Sequence, residues 1–375
     1  MMKADSVGLY IHVPFCVKKC NYCDFCSFSD IGLETRRKYI SQMIKEILSY
    51  KREEKITVDT IFFGGGTPSL LEPHEISMIC DAIEESFKIL PECEFSIESN
   101  PKTLTREKLE AFIARGLNRV SIGLQSIHAN ELELLGRIHN YDDFLEAYNL
   151  IRDVGITNVG IDLMYGIPEQ SLESFKETLK AAVSLCPEHI SAYGLILEEG
   201  TWLFENRAAL NFPSEDEECD MYEFACRFLS NNGYRHYEIS NYSKSGFESR
   251  HNMKYWKMDD FIGVGVAAYS YFESKRYGNS NIISEYISDN PAQYVNEEER
   301  DNGSEAFEFC MLGLRTADGI SLTEYQSAFG SDFTVGREKK INDYIKAEYM
   351  IRQGDSIALT EKGFYLSNAI LSDLL

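Results

Sequence analysis

No apolar run in the 375-residue sequence reaches the roughly 18 residues that a membrane-spanning helix needs. The opening stretch MMKADSVGLYIHV lacks a long apolar core followed by a small-residue cleavage site, so a secretory signal is not expected. Cationic charge is scarce: 37 Lys and Arg stand against 60 Asp and Glu, a formal net charge of −23. Nucleic acid and anionic membrane surfaces both demand clustered Lys and Arg, so neither is an expected partner. A local basic pocket for a small anionic ligand is still within reach of Lys18, Lys19, Arg115, Arg119 and Arg137. Internal repeats and low-complexity segments are also missing. The 44% apolar and 26% charged content is ordinary for a globular protein. The expected setting is a reducing cytoplasm, where ten cysteines do not make a disulfide framework. Seven of them, Cys26, Cys80, Cys93, Cys186, Cys219, Cys226 and Cys310, are scattered and read as small buried apolar residues. The other three are bunched.

Short β-type runs alternate with helical patterns. Strands are expected over 7–13, 58–63, 94–98, 118–122, 158–164 and 189–197. Helices are expected over 36–50, 73–88, 105–115, 142–154 and 172–185, with apolar residues at helical spacing. Strands followed by helices imply parallel β/α units, and strands buried on both faces explain the continuous apolar runs. Periodicity leaves two closures open, an open doubly wound sheet or a full or partial β/α barrel. In both, ligands sit at the carboxyl ends of the strands. A further helix is expected over 215–232 and a strand over 234–239. The acidic, turn-rich stretch 287–304 reads as a boundary between a large unit (1–290) and a small one (300–375). The small unit reads as helices at 305–314, 322–329, 335–350 and 360–374 with a strand at 356–359, a winged-helix-like pattern. That fold analogy does not imply DNA binding.

The bunched cysteines are Cys16, Cys20 and Cys23, a C-x3-C-x2-C run just after the first strand. Thiolates are the usual ligands of iron–sulfur clusters. Three thiolates on a [4Fe-4S] cube leave one iron open, and that iron can chelate the amino and carboxylate groups of S-adenosylmethionine (SAM). An electron from the cluster then breaks a carbon–sulfur bond and releases a 5′-deoxyadenosyl radical. Such an electron must come from a donor. Zinc is the competing reading, with Cys26 as fourth ligand, but no second C-x2-C or H-x3-H pair follows. Gly64, Gly65, Gly66 and Thr67 follow the second strand, where glycines let backbone approach a ligand or simply make a tight turn. Glu98, Gln125 and Asp162 end the next three strands, and Arg137 in LGRIH suits bidentate grip of a carboxylate. Residues at successive strand ends converge on one mouth.

YIHVPFCVKKCNYCDF, FFGGGTPSLL, IESNPKTLT, RVSIGLQSI, LGRIHN, DLMYGIP and YEISNY resemble the oxygen-independent coproporphyrinogen III dehydrogenase-like branch of the radical SAM proteins. The resemblance covers nearly the whole chain. It implies an α/β fold, a partial (β/α)6 barrel with a small, mostly helical C-terminal domain. It also implies a [4Fe-4S] cluster and SAM at the barrel mouth. By motif, Tyr10, Tyr22, Gly65, Gly66, Thr67, Glu98, Gln125, Arg137 and Asp162 match SAM-contacting positions. Within the branch, the dehydrogenases that decarboxylate porphyrinogen propionates carry another Cys two residues after the third cluster Cys, and a longer N-terminus. Here that position is Phe25, and nine residues precede Tyr10. The HemW-type haem chaperones lack both features and carry H-N-x-x-Y-W, which appears here as His251 to Trp256. The resemblance therefore implies a chaperone that takes haem as cargo and passes it to a haem protein such as a respiratory enzyme. His is a common axial haem ligand, and Tyr and Trp offer flat apolar surface. His251 is thus the candidate haem ligand, against a plain alternative in which it only packs a loop. One departure is Tyr269, where such chaperones usually have His.

Overall fold

In the computed structural model, which describes residues 6–288, 296–298 and 301–375, the first strand β1 (Val7–Val13) is buried along almost its whole length. Its apolar Leu9, Ile11 and Val13 pack outward toward helices. Gly8, Tyr10 and His12 alternate with them and point the other way. After β1 come α1 (Leu33–Ser49), β2 (Ile56–Gly65), α2 (Pro73–Ser86), β3 (Phe87–Ser99), α3 (Arg106–Ile113) and β4 (Arg119–Gln125). The series continues through a short α4 (Ala129–Leu134), α5 (Tyr141–Asp153), β5 (Asn158–Tyr165), α6 (Leu172–Ser184) and β6 (His189–Gly194). Helix starts follow local chemistry: Thr105, Asn140 and Ser171 each accept a hydrogen bond from the backbone N–H three residues on.

Strands β1 to β6 lie side by side in chain order, all parallel. A doubly wound sheet reverses its order at a switch point, so that alternative is set aside. Neither does β1 pair with β6. The chain continues with α7 (Trp202–Asn206), α8 (Glu215–Asn231), β7 (Arg235–Glu238), β8 (Asn241–Ser243), α9 (Arg250–Lys257) and β9 (Phe261–Val264). Next are β10 (Tyr269–Phe272), β11 (Lys275–Gly278), α10 (Ile283–Tyr286) and β12 (Asn296–Glu298). Strand β9 adds in parallel to β1, and β8 adds antiparallel to β6. The six central strands therefore form a partial barrel, flanked on each side and not closed on itself.

The C-terminal part holds α11 (Asn302–Gly313), β13 (Ile320–Ser321), α12 (Leu322–Phe329), α13 (Glu338–Lys346), β14 (Met350–Gln353), β15 (Ser356–Leu359), α14 (Glu361–Tyr365) and α15 (Ser367–Leu374). Its strands make a small antiparallel sheet in the order β13-β15-β14. The helix expected over 360–374 is two helices, and the one expected over 335–350 is shorter at both ends. Gly336 at φ 80° and Glu348 at φ 63° lie just outside the latter. Half of the stretch expected to hold the boundary, 287–304, lies outside the described residues. Among the described residues, no helix is long and apolar enough to cross a membrane.

Candidate cluster and ligand site at the barrel mouth

The loop after β1 is fastened at its base and its tip. At the base, Cys16 N–H donates to Phe28 O (3.0 Å) and Phe28 N–H to Pro14 O (2.7 Å). At the tip, Asn21 donates its backbone N–H to Leu135 O and its Nδ2 to Leu134 O, both 2.9 Å, and accepts from Leu203 N–H at 3.0 Å. The cysteine loop is thus tied to the end of α4 and the start of α7. Gly136 permits this approach: its φ is 72°, and a Cβ there would sit 2.8 Å from the Asn21 side chain. Within the loop, Cys23 N–H donates to Cys20 O at 3.2 Å.

Cys16, Cys20 and Cys23 are free and half-buried. Each thiol meets a polar group: Thr67 Oγ1 donates to Cys16 Sγ (3.6 Å), Arg137 Nη1 donates to Cys20 Sγ (3.6 Å), and Ser27 Oγ lies 4.0 Å from Cys23 Sγ. Burial pushes the Cys16 and Cys23 thiols up, while these hydroxyls pull back. Iron would overcome that cost, because a metal-bound thiol is deprotonated outright. Among the described residues, no three His, Cys, Asp or Glu side chains converge closely enough to hold a single metal ion. Ligands of tetrahedral zinc must meet at one point. Three free thiols on one short loop can instead take three corners of an iron–sulfur cube. Cys26, the possible fourth ligand, directs its Sγ to Asn281 O at 3.5 Å. The donor set fits a [4Fe-4S] cluster.

The structure brings the strand-end residues to the same mouth. Gly65 has φ 107°, and a Cβ there would meet the His12 ring at 2.5 Å; one on Gly66 would meet Phe15 O at 2.8 Å. These glycines are needed first for packing against the cysteine loop, a role closer to the tight-turn reading. Gly65 N–H donates to Glu98 Oε2 at 3.1 Å. Thr67 is buried and accepts from Asn100 Nδ2 at 2.9 Å, so it couples the loop to the end of β3. Burial and the nearby Asp162 push the Glu98 carboxyl up to about 7, against Gly65 N–H and the Arg119 charge. Asp162 is also raised by burial, and Ser121 Oγ donates to its Oδ1 at 2.9 Å. Gln125 has φ 66°, uncommon for a residue with a side chain. Its Oε1 is buried without a partner, as expected of an atom kept for a ligand. Arg137 sits between Cys20, Asn100 Oδ1 and Gly123 O (3.0 Å from Nη2). Tyr22 packs beside Leu135, Met164, Ile167 and Leu203, and burial raises its phenol.

Tyr10 is less free than its motif position implied. Its hydroxyl lies 3.0 Å from His12 Nδ1, while His12 Nε2 lies 2.8 Å from Cys26 O. A carbonyl only accepts, so Nε2 carries the proton and Tyr10 donates to Nδ1. Tyr10 and His12 thereby brace the loop. His12, Asn21, Asn100 and Lys102 did not stand out in the sequence; only the alternation that puts His12 on the Tyr10 face hinted at any of them. Lys102 joins Lys18, Arg137, Thr67 and Asn100 around a cleft beside Cys20. Of the five cations considered for a basic pocket, Lys18 and Arg137 line it. Arg115 pairs with Asp81 (2.6 Å) and Glu84 (3.1 Å) on the outer helices, and Arg119 is buried inside the barrel.

His251 does not present itself as an axial ligand. It is fully buried near the start of α9, with Nδ1 2.8 Å from Thr60 Oγ1 and Nε2 2.8 Å from Tyr255 OH. Its ring stacks on Phe62 at 5.2 Å, and its backbone N–H donates to Glu94 Oε1. Both nitrogens are engaged, so iron would have to displace Thr60 or Tyr255. The H-N-x-x-Y-W segment here closes the barrel floor. Tyr269 is 47% exposed on β10, and its ring lies over Gly278.

A six-strand partial barrel with three cysteines in the loop after its first strand defines a radical SAM protein. Accordingly, residues 10–182 match the family model described as the radical SAM superfamily, and residues 304–366 match the HemN C-terminal domain. Membership of that superfamily implies a [4Fe-4S] cluster and SAM. A relative in Lactococcus lactis, named heme chaperone HemW, is 33% identical over 98% of this chain and 96% of its own length. Another of the same name, in Escherichia coli, is 32% identical over 99% of this chain and 98% of its own. The chain belongs to the heme chaperone HemW family. In fold it is similar to coproporphyrinogen III oxidase (HemN) from Escherichia coli, with TM-score 0.85 and 21% identity over 99% of this chain and 90% of that one.

Proposed function

We propose that this chain holds a [4Fe-4S] cluster on Cys16, Cys20 and Cys23, binds SAM at the barrel mouth, and acts as a haem chaperone. It takes haem as cargo and delivers it to a recipient haem protein, with an electron donor serving the cluster. The haem reading is carried by one observation, the likeness over nearly the full length to proteins named heme chaperone HemW. The radical SAM part is supported by the stapled cysteine loop and the carboxylates facing it. When bound, cluster and SAM together supply reductive cleavage of a carbon–sulfur bond; the protein positions and shields.

The residues divide that work. Arg137 would trade Asn100 or Gly123 O for the SAM carboxylate. Glu98 and Asp162 would take the ammonium and ribose hydroxyls, and Gln125 Oε1 would gain the partner it lacks. Tyr10, through His12, keeps the loop in place, and Tyr22 walls it from water. Phe25, 64% exposed, stands where the dehydrogenases carry a further cysteine.

The test is made on one anaerobically reconstituted preparation. Micromolar haem should shift the Soret band, and coproporphyrinogen III should be returned unchanged. Protoporphyrinogen and carbon dioxide as products would replace the chaperone reading with the dehydrogenase one.

A further inference from the structure

Arg119 opens β4 inside the barrel. It is 2% exposed, and no hydrogen bond or ion pair joins it to any described residue; its Nε is buried and unpartnered. Arginine is almost never so buried without compensation, because removing its charge from water is costly. What compensates it lies one step up the barrel. Ser121, two residues on and on the same face, pairs in register with Glu98 on β3 and holds Asp162 of β5 by its hydroxyl. A Cβ on Gly160 would lie 3.1 Å from Ser121 Oγ, 3.4 Å from His189 Nδ1 and 3.7 Å from Arg119 Nη2. The three side chains crowd one point in the interior, and the missing Cβ gives them room.

The other groups facing the two carboxylates are neutral, Arg137 excepted. Toward Glu98 stand Tyr10 of β1, Tyr193 of β6, Tyr255 of α9 and the N–H of Gly65. Toward Asp162 stand Ser121, Ser191 and Tyr193, with Arg137 acting from the loop after α4. His189 adds no charge: burial, then the Arg119 charge, keeps it neutral. Tyr237 OH lies 2.8 Å from His189 Nε2 and accepts from Ser249 N–H, so its own proton goes to His189. Two buried carboxylates that feel each other's charge, left alone, favour holding a proton between them.

We propose that Arg119 is a positioning residue whose charge, from beneath, favours the ionised form of the Glu98–Asp162 pair before ligand binds, so that the pair meets the cationic groups of SAM over a wider pH range. This rests on the SAM site proposed above. Arg119 touches no ligand and acts only through the two carboxylates.

The experiment measures SAM affinity of the reconstituted protein across pH by equilibrium dialysis, for the wild type, Arg119→Gln, Arg119→Lys and Glu98→Gln. The wild-type affinity should weaken as pH falls through about 7, where Glu98 gains its proton. In Arg119→Gln that midpoint should move up by about one pH unit, about a tenfold loss of affinity on the acid side. Arg119→Lys should keep the wild-type midpoint. In the cluster-free protein, the infrared carbonyl band of a protonated carboxylic acid should persist to higher pH in Arg119→Gln than in the wild type. A uniform loss of affinity with an unmoved midpoint and band would make Arg119 merely structural and overturn the proposal. Glu98→Gln should remove the pH step. If it leaves affinity and step unchanged, the proposed SAM site itself fails, whatever Arg119 does.

Discussion

At the scale of single residues, the thiols and carboxylates were legible because their chemistry announces itself. Three cysteines in eight residues have few uses in a reducing compartment, and a carboxylate ending a buried strand needs a reason to be there. Asn21 and Asn100 were not legible as such, since each works through contacts far away in the chain, such as Asn21 with Leu134, and Arg119 was legible only as one of five cations for a basic pocket. His251 was legible as chemistry but not as environment. Periodicity cannot reveal that Thr60 and Tyr255 take both ring nitrogens. His251→Ala should therefore act on stability: it strips partners from a fully buried Thr60 and opens a cavity beside Phe62. A loss of about 2–4 kcal/mol in denaturant unfolding is expected, with haem affinity unchanged. A stable variant that no longer shifts the Soret band would restore it as the haem ligand. Cys26→Ser should keep full iron and sulfide content, whereas Ser at 16, 20 or 23 should lose the cluster. Zinc held by the wild type and lost from all four variants, Cys26→Ser included, would favour the tetrahedral alternative.

At the scale of elements, the six parallel strands could be read because strands covered on both faces are continuous apolar runs with turn signals between them. The closure could not, because strand order is a property of pairing. Residues 241–278 were left without elements for the same reason: β8 and β9 are three and four residues long and exist by adding to β6 and β1. Helix α9 hides its character too, since its buried residues are His251 and Lys254. The cysteine loop depends on elements it is not connected to, which Gly136→Ala probes. Alanine at φ 72° is strained, and its Cβ would press on Asn21. The expected cost is about 1–3 kcal/mol, concentrated at the junction of α4 and the loop. Reconstituted iron content should fall while the far-ultraviolet circular dichroism holds. Full cluster occupancy in that variant would mean that the Asn21 staple is dispensable.

At the scale of the whole molecule, one large hydrophobic core runs from Val7 in β1 to Leu374 in α15, with a small second cluster around Leu135, Met164, Ile167 and Leu203. The join is also polar. Ile239 N–H donates to Arg315 O (3.0 Å), Ala317 N–H to Tyr237 O (2.9 Å) and Tyr222 OH to Glu361 O (2.9 Å). The winged-helix-like unit therefore caps the β7–β8 side of the barrel, continuing its packing. Calorimetry of the cluster-free protein should show one cooperative transition with matching calorimetric and van't Hoff enthalpies. Two resolved transitions would show that the units fold independently. Although the chain carries a charge of −23, its interior buries cations of its own, Arg119 inside the barrel and Lys254 of α9 beside Asp59 (2.9 Å).

The central claim is an iron–sulfur cube held at three corners and open to SAM at the fourth. Electron paramagnetic resonance of the dithionite-reduced, anaerobically reconstituted protein, recorded with and without SAM, tests it most directly. A reduced-cluster signal that changes when SAM is added is the predicted result. A signal indifferent to SAM, or a protein that takes up zinc and gives no signal at all, would contradict it.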